Sequence, residues 1–341
     1  MEEQQIMRDL KALCDAPGVA GCTAVIEQVT ALLRPLVDEI STDVMGNVLA
    51  VRHAADPSAP TVMLEAHMDE IGFLVTAIDD LGFLHVTAAG GIDLRVLAAQ
   101  EVAVYTKEAT YPGVFCSVPP HLAKDEDKLP ELTEFGIDVG MTADEARSRI
   151  PLGTRVGFAP SFHSLDGYTV SSKALDDRAG VAAVLHCLRQ LDKLPVNVAV
   201  AICTQEELGC RGAVTAANRL SPQEALVTDV SFALTPSDNP YHCGKMGEGV
   251  MIGIAALLDV GVSDTLLDLA KKTEIPYQTE VMGRSTGTDA DAISKSGYGV
   301  KTGLLSIPLR YMHTPIETVD LRDVAAVGDL MATYIREKGA L

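Results

Sequence analysis

Four apolar runs, at 61–66, 196–202, 224–230 and 299–307, constrain this chain more than anything else in it. Each is short, rich in Val, Ile, Leu and Ala, and reads as a buried strand. Helical patterns stand between them, most clearly at 178–191 and 263–272. Strands alternating with helices imply an α/β sandwich with a largely parallel central sheet. In such sheets sites form at the carboxyl ends of the strands. His67 follows the first run, Glu206 and Glu207 the second, and Asp229 stands where the third ends. His313 comes just after the fourth, and Asp176 opens the helix at 178–191.

The residue types at those points suit metal chemistry. Two adjacent carboxylates at the end of a buried strand repel each other and lose hydration, which a cation offsets. One of the pair would bind the ion, and its neighbour, beside an activated water, would serve as general base. A neutral His67 is a good ligand for zinc or cobalt, and Asp69, two residues on, can orient its ring. Each motif alone has a plainer reading. Glu206-Glu207 resembles a solvated helix face, His67-Met68-Asp69 a loop histidine beside surface acids, and Asp176-Asp177 a helix cap. Together they supply two histidines, three acids and a spare glutamate, the donor set of a dinuclear zinc, cobalt or manganese site.

The rest of the chain frames these points. Helices are expected at 2–15 and 22–36, a hairpin at 37–51, strands at 246–255 and 276–281, and a closing helix at 320–338. From 72 to 164 the texture changes to short β segments. A hairpin pairs 73–78 with 83–88, strands follow at 101–106, 113–118 and 155–158, and one helix at 142–149 begins with the capping box Thr142/Glu145. This small β-rich module reads as an insert, 72–164, within a catalytic domain made of 1–71 and 165–341. The charged run Lys124-Asp125-Glu126-Asp127-Lys128 reads as a solvated loop.

Composition narrows the function. A net charge of -20 over 341 residues argues against nucleic acid and anionic membrane surfaces as partners. Met1 to Gln5 is acidic and polar, unlike a secretory signal, and no apolar run reaches the roughly 20 residues that span a bilayer. The 7 cysteines are odd in number and form no CxxC pair, which fits a reduced, cytoplasmic setting.

The motifs His67-Met68-Asp69-Glu70-Ile71-Gly72, Lys173-Ala174-Leu175-Asp176-Asp177-Arg178, Gln205-Glu206-Glu207-Leu208-Gly209, Gly287-Thr288-Asp289-Ala290 and Met312-His313-Thr314-Pro315 run in order over nearly the whole chain. They resemble the tetrahedral dinuclear-metal aminopeptidases, the glutamyl, leucyl and lysyl enzymes sometimes mislabelled as endoglucanases. The resemblance implies a phosphorylase/hydrolase-like three-layer catalytic domain, an inserted PDZ-like dimerisation domain, and dimers assembling to a tetrahedral dodecamer. It implies two divalent ions per chain, bridged by Asp176. His67 and Asp229 would complete one site, and Glu207 and His313 the other. Glu206 would be the general base, Asp69 would orient His67, and the free α-amine of a short peptide would sit near the metals. The family's first turn reads Pro-Gly-x-Ser-Gly-x-Glu; here Pro17-Gly18-Val19-Ala20-Gly21-Cys22-Thr23 lacks the Ser and the Glu.

Other classes remain to be weighed against an aminopeptidase. A metal-dependent N-acyl or sugar-amide deacylase would use the same ligands, and only the pocket would separate the two. A non-catalytic metal-bound assembly protein has no need of a spare Glu206, and a metal-free glycosidase would leave both histidines without a purpose.

Overall fold

The computed structural model describes residues 2–56, 58–118, 121, 130–236 and 238–338; the run 124–128 lies outside them. The chain opens with α1 (Glu2–Asp15) and α2 (Ala24–Leu33), the hairpin β1 (Glu39–Thr42) and β2 (Val48–Arg52), and β3 (Thr61–His67). There follow β4 (Gly72–Ile78), β5 (Leu84–Ala89), β6 (Glu101–Tyr105), β7 (Thr110–Phe115), β8 (Ile137–Asp138), α3 (Ala143–Arg149) and β9 (Arg155–Phe158). Next come β10 (His163–Ser164), β11 (Thr169–Ser172), α4 (Leu175–Gln190), β12 (Asn197–Cys203), α5 (Arg211–Leu220) and β13 (Glu224–Phe232). The last elements are β14 (Val250–Ala255), α6 (Val260–Lys272), β15 (Tyr277–Met282), α7 (Ala290–Ile293), β16 (Lys301–Arg310), β17 (Glu317–Asp320) and α8 (Leu321–Glu337).

An 11-stranded sheet runs β1-β2-β12-β3-β13-β16-β17-β11-β10, with β14 joined to β16 and β15 to β14. The expected parallel sheet forms at its centre, where β12, β3, β13 and β16 run the same way, and β14 and β15 make a further parallel pair off that path. The path outward on both sides is antiparallel; β1–β2, β10–β11 and β16–β17 are joined by short connections, which cannot link parallel neighbours, while β2–β12 and β11–β17 pair segments distant in the chain. Two further expectations need correction. The strand 224–230 does not stop beside Asp229 but continues to Phe232, held in register against β16 as far as Leu309. The strand at 299–307 is not the last, since β17 follows and pairs with both β16 and β11.

Strand alternation splits the interior into two cores, one on each face. Val62, Leu64 and Ala66 of β3 point to the face covered by α1, α4 and α8. Met63 of the same strand points to the opposite face, under α5 and α7. The result is three layers. His67 continues the Met63 row, so the sheet delivers it to the α5–α7 side.

The segment between β3 and β10 closes on itself as a six-stranded barrel, β4-β5-β8-β7-β6-β9. Its core holds Phe73 edge-on to Phe115 and Phe158, at ring-centroid distances of 5.1 and 6.0 Å. Thr142 and Glu145 form the expected capping box at the start of α3. β10 pairs with β11 in the large sheet, so the chain has rejoined that sheet by His163. Among the described residues no helix is long and apolar enough to cross a membrane.

Behind the carboxyl end of β3 lies a buried ion cluster. Glu70 accepts from Lys173 Nζ at 2.7 Å, from Arg178 Nη2 at 3.1 Å and from the Gly18 amide at 2.8 Å. Arg178 also donates to the Ala16 and Met68 carbonyls at 2.7 and 3.3 Å. Burial pushes the Glu70 carboxyl up, but the Lys173 and Arg178 charges outweigh it and hold the group below the usual carboxylate range. Glu70→Ala leaves two cations buried without a counter-charge. It is expected to lower stability by about 3–5 kcal/mol, measured by urea unfolding, whereas Glu70→Gln, able to keep the Gly18 hydrogen bond, costs less.

Candidate metal centre

The carboxyl ends of the parallel strands bring the predicted residues together. His67 is the last residue of β3, and its Nε2 stands 3.1 Å from Asp176 Oδ1 and 3.9 Å from Asp229 Oδ1. His313, on the turn after β16, has Nε2 3.4 Å from Asp176 Oδ2 and 3.4 Å from Glu207 Oε1. Asp176 thus offers one oxygen to each histidine. His67, Asp176 and Asp229 form one set whose donor atoms all lie within 4.8 Å of one another, and Asp176, Glu207 and His313 form a second. Glu206 lines the same cavity of about 410 Å³ and is held at Oε1 by the Cys210 thiol at 3.3 Å.

Asp69 sits behind this face. Its Oδ1 accepts the Glu206 amide at 3.1 Å and lies 3.6 Å from His67 Nδ1, while that nitrogen is 3.2 Å from the Asp69 carbonyl. Asp69 therefore touches both the histidine and the backbone of the glutamate pair. Asp177, beside Asp176, turns away from both donor sets; its Oδ1 accepts the Gly180 amide at 2.9 Å, as a helix-capping group does.

The electrostatics are those of a site short of positive charge. Burial pushes the carboxyls of Glu206, Glu207 and Asp229 above their ordinary range, and neighbouring acids add to the effect. Asp176 goes the other way: burial acts to raise it, but its hydrogen bonds to His313 and His67 hold it well down. For His313 burial acts downward, yet hydrogen bonds to Asp176 and Glu207 bring it to about 11. Four carboxylates facing two imidazoles is a donor set that accommodates divalent cations.

Local backbone geometry is spent on the site. Of the eight non-glycine residues with positive φ among the described residues, five adjoin it: Ala174, Gln205, Cys210, Tyr311 and His313. Such conformations cost on the order of 1 kcal/mol or more each and persist where packing enforces them.

Of three further acids around the site, Glu317 and Glu65 were given no role from the sequence, and Asp289 stood there only within a motif. Glu317 on β17, fully buried, accepts the Asp176 amide at 3.1 Å and the His313 amide at 2.9 Å, so it braces a residue of each donor set. Its place four residues after His313, beyond a proline, was the available signal. Glu65, two residues before His67, and Asp289 form a buried group with Cys203, and all four of their carboxylate oxygens lack hydrogen-bond partners. The barrel also contributes. Gly91, just after β5, lies so close to His313 that a Cβ there would stand 2.9 Å from its Nδ1.

The layered fold, with acids and histidines gathered at the carboxyl edge of a parallel sheet, is that of an α/β enzyme. A family model described as M42 glutamyl aminopeptidase matches residues 46–330, and the chain belongs to that family. The lysyl aminopeptidase of Pyrococcus furiosus is 35% identical over 324 residues, which are 92% of this chain and 92% of that protein. Among solved structures, an aminopeptidase from the archaeon Desulfurococcus kamchatkensis superposes with a TM-score of 0.93 at 35% identity, covering 98% of this chain and 95% of the other. The Pyrococcus horikoshii TET1 peptidase, which can assemble into a tetrahedron or a large octahedral shell, gives 0.85 at 30% identity over 97% and 99%.

Gly91→Ala should displace the His313 ring without disturbing a core. Turnover is expected to fall about 10- to 100-fold, read in a peptidase assay, with an unchanged circular dichroism spectrum.

Proposed function

We propose that this chain is a metal-dependent aminopeptidase that removes residues one at a time from the free amino end of short peptides. The observation that carries the reading is Asp176, placed with one oxygen toward His67 and the other toward His313. Glu206 faces the same cavity without belonging to either of those two donor sets. His67, Asp176 and Asp229 would hold one divalent ion, and Asp176, Glu207 and His313 a second, with zinc or cobalt the first candidates and manganese the third. When bound, such ions lower the pKa of water in the site and polarise the scissile carbonyl.

The protein's own residues do the rest. Glu206 takes the proton of the attacking water at its carboxylate and returns it to the leaving amine. Cys210 fixes the Glu206 side chain, and Asp69 fixes its backbone amide while facing the His67 ring. The surplus of carboxylates gives the substrate's α-ammonium a place to dock, which would limit cleavage to the chain end.

The remaining parts fit this reading. Residues 1–71 and 165–341 would form the catalytic unit, of phosphorylase/hydrolase type. The barrel of β4 to β9, within the insert expected at 72–164, would act as the PDZ-like dimerisation module, with the dimers assembling to a dodecamer in the cytoplasm. Neither nucleic acid nor membrane is expected as a partner.

The test is a panel of aminoacyl p-nitroanilides offered to metal-stripped protein, with and without cobalt or zinc. Cleavage of free-amine substrates restored by metal, with N-acetylated versions untouched, is the expected result; preference for the N-acylated versions would overturn it in favour of a deacylase. Glu206→Gln should retain two ions per chain by elemental analysis while losing about 10²- to 10⁴-fold in kcat. Asp176→Asn should lose both ions.

A further inference from the structure

We propose that Glu280 is the specificity-determining residue of this site, and that the chain acts on peptides beginning with lysine or arginine. The inference rests on the aminopeptidase reading above and deepens it.

The geometry begins on β13. Side chains two apart on a strand share a face, so Ser231 stands on the same face as Asp229, about 7 Å further along. Ser306 on β16 is the register partner of Asp229 and lies beside it. Both serine hydroxyls donate to one carboxylate, that of Glu280 on β15, Ser306 at 2.9 Å. A second cavity, of about 300 Å³, opens here with Glu280 in its wall. Ser231, Phe232 and Thr286 line this cavity and the catalytic one alike, so the two adjoin.

The chemistry of this side pocket selects its occupant. Phe232, Tyr241, Met251 and Met282 give it apolar walls, suited to a hydrocarbon stem. Among the described lining residues Glu280 is the only carboxylate. Glu280 is half-buried, and among the described residues it is hydrogen-bonded to hydroxyls but enters no ion pair. A carboxylate so held, with no counter-charge, is complementary to an ammonium or guanidinium arriving on a flexible stem. The four-carbon stem of lysine spans a distance like that from Asp229 to Ser231. An N-terminal glutamate would meet repulsion at the same point, and a leucine would bury the carboxylate without neutralising it.

The experiment compares kcat/KM of the cobalt-loaded protein for Lys-, Arg-, Leu- and Glu-p-nitroanilide with that of Glu280→Gln, which keeps an oxygen to accept from the serines. Lys and Arg should exceed Leu by about 10-fold or more, with Glu poorest. The variant should lose most of that preference, chiefly through a fall in its Lys and Arg rates. A wild type that prefers Leu or Glu, or a variant that loses all four rates equally, overturns the assignment. Calorimetry on cobalt-loaded Glu206→Gln adds a readout independent of turnover. Lysinamide binding more tightly than norleucinamide supports the pocket, and equal binding refutes it. If no free-amine substrate is cleaved, the aminopeptidase reading falls, and the calorimetric comparison still decides the role of Glu280.

Discussion

Glu70 is the residue on which the arrangement depends. It lies against two buried cations, and through them it ties together three parts of the chain far apart in sequence. Arg178 reaches back to the carbonyls of Ala16 and Met68, so the end of α1, the end of β3 and the start of α4 meet at one guanidinium. His67 is one residue from Met68, and Asp176 is two from Arg178. The ion cluster therefore sets the separation of those two side chains from behind. Burying three charges is costly, and here each finds its counterpart within hydrogen-bond distance. Close packing enforces the arrangement: a methyl on Gly18 would fall 1.9 Å from Arg178 Nη2. Gly18 is the part of the first turn that the cluster requires, since its amide donates to Glu70 and its lack of a side chain leaves room for Arg178.

In front of that cluster the charge balance reverses. Behind the face, cations hold a carboxylate low; on it, carboxylates outnumber imidazoles and most are pushed upward. Glu317 stabilises the front by accepting backbone amides, which fixes Asp176 and His313 without competing for their side chains. Positive φ at Gln205 and His313 shows the same priority. The backbone is bent into unfavourable conformations where a side chain must face the cavity.

Much of this was legible in the sequence because it depends on short-range patterns. The alternation that sends Leu64 to one core and Met63 to the other is a period of two. The apolar runs announced the central strands, and the acids and histidines beyond them announced the site. The capping box at Thr142 is a local hydrogen-bond exchange and was equally readable. What escaped depends on pairing between distant segments. β17 is four residues long and follows a proline, so nothing local marks it as a strand; it exists because β16 and β11 offer it edges. Glu317 was missed with it. The barrel's closure, the antiparallel flanks and the extension of β13 past Asp229 are likewise consequences of partners. Glu280 gave no signal, since a glutamate in a polar-alternating stretch reads as solvated until Ser231 and Ser306 are seen to face it.

β15, which carries Glu280, is paired on one side only, and none of its residues is fully buried. The chemistry stands instead on β3 and β13, each flanked by strands on both sides. Apart from Met282, which packs against the α5–α7 core, β15 adds no side chain to the interior cores, whereas β3 and β13 add several each. On the proposed role of Glu280, substrate preference would rest on an edge strand and could change without disturbing the strands that carry His67 and Asp229.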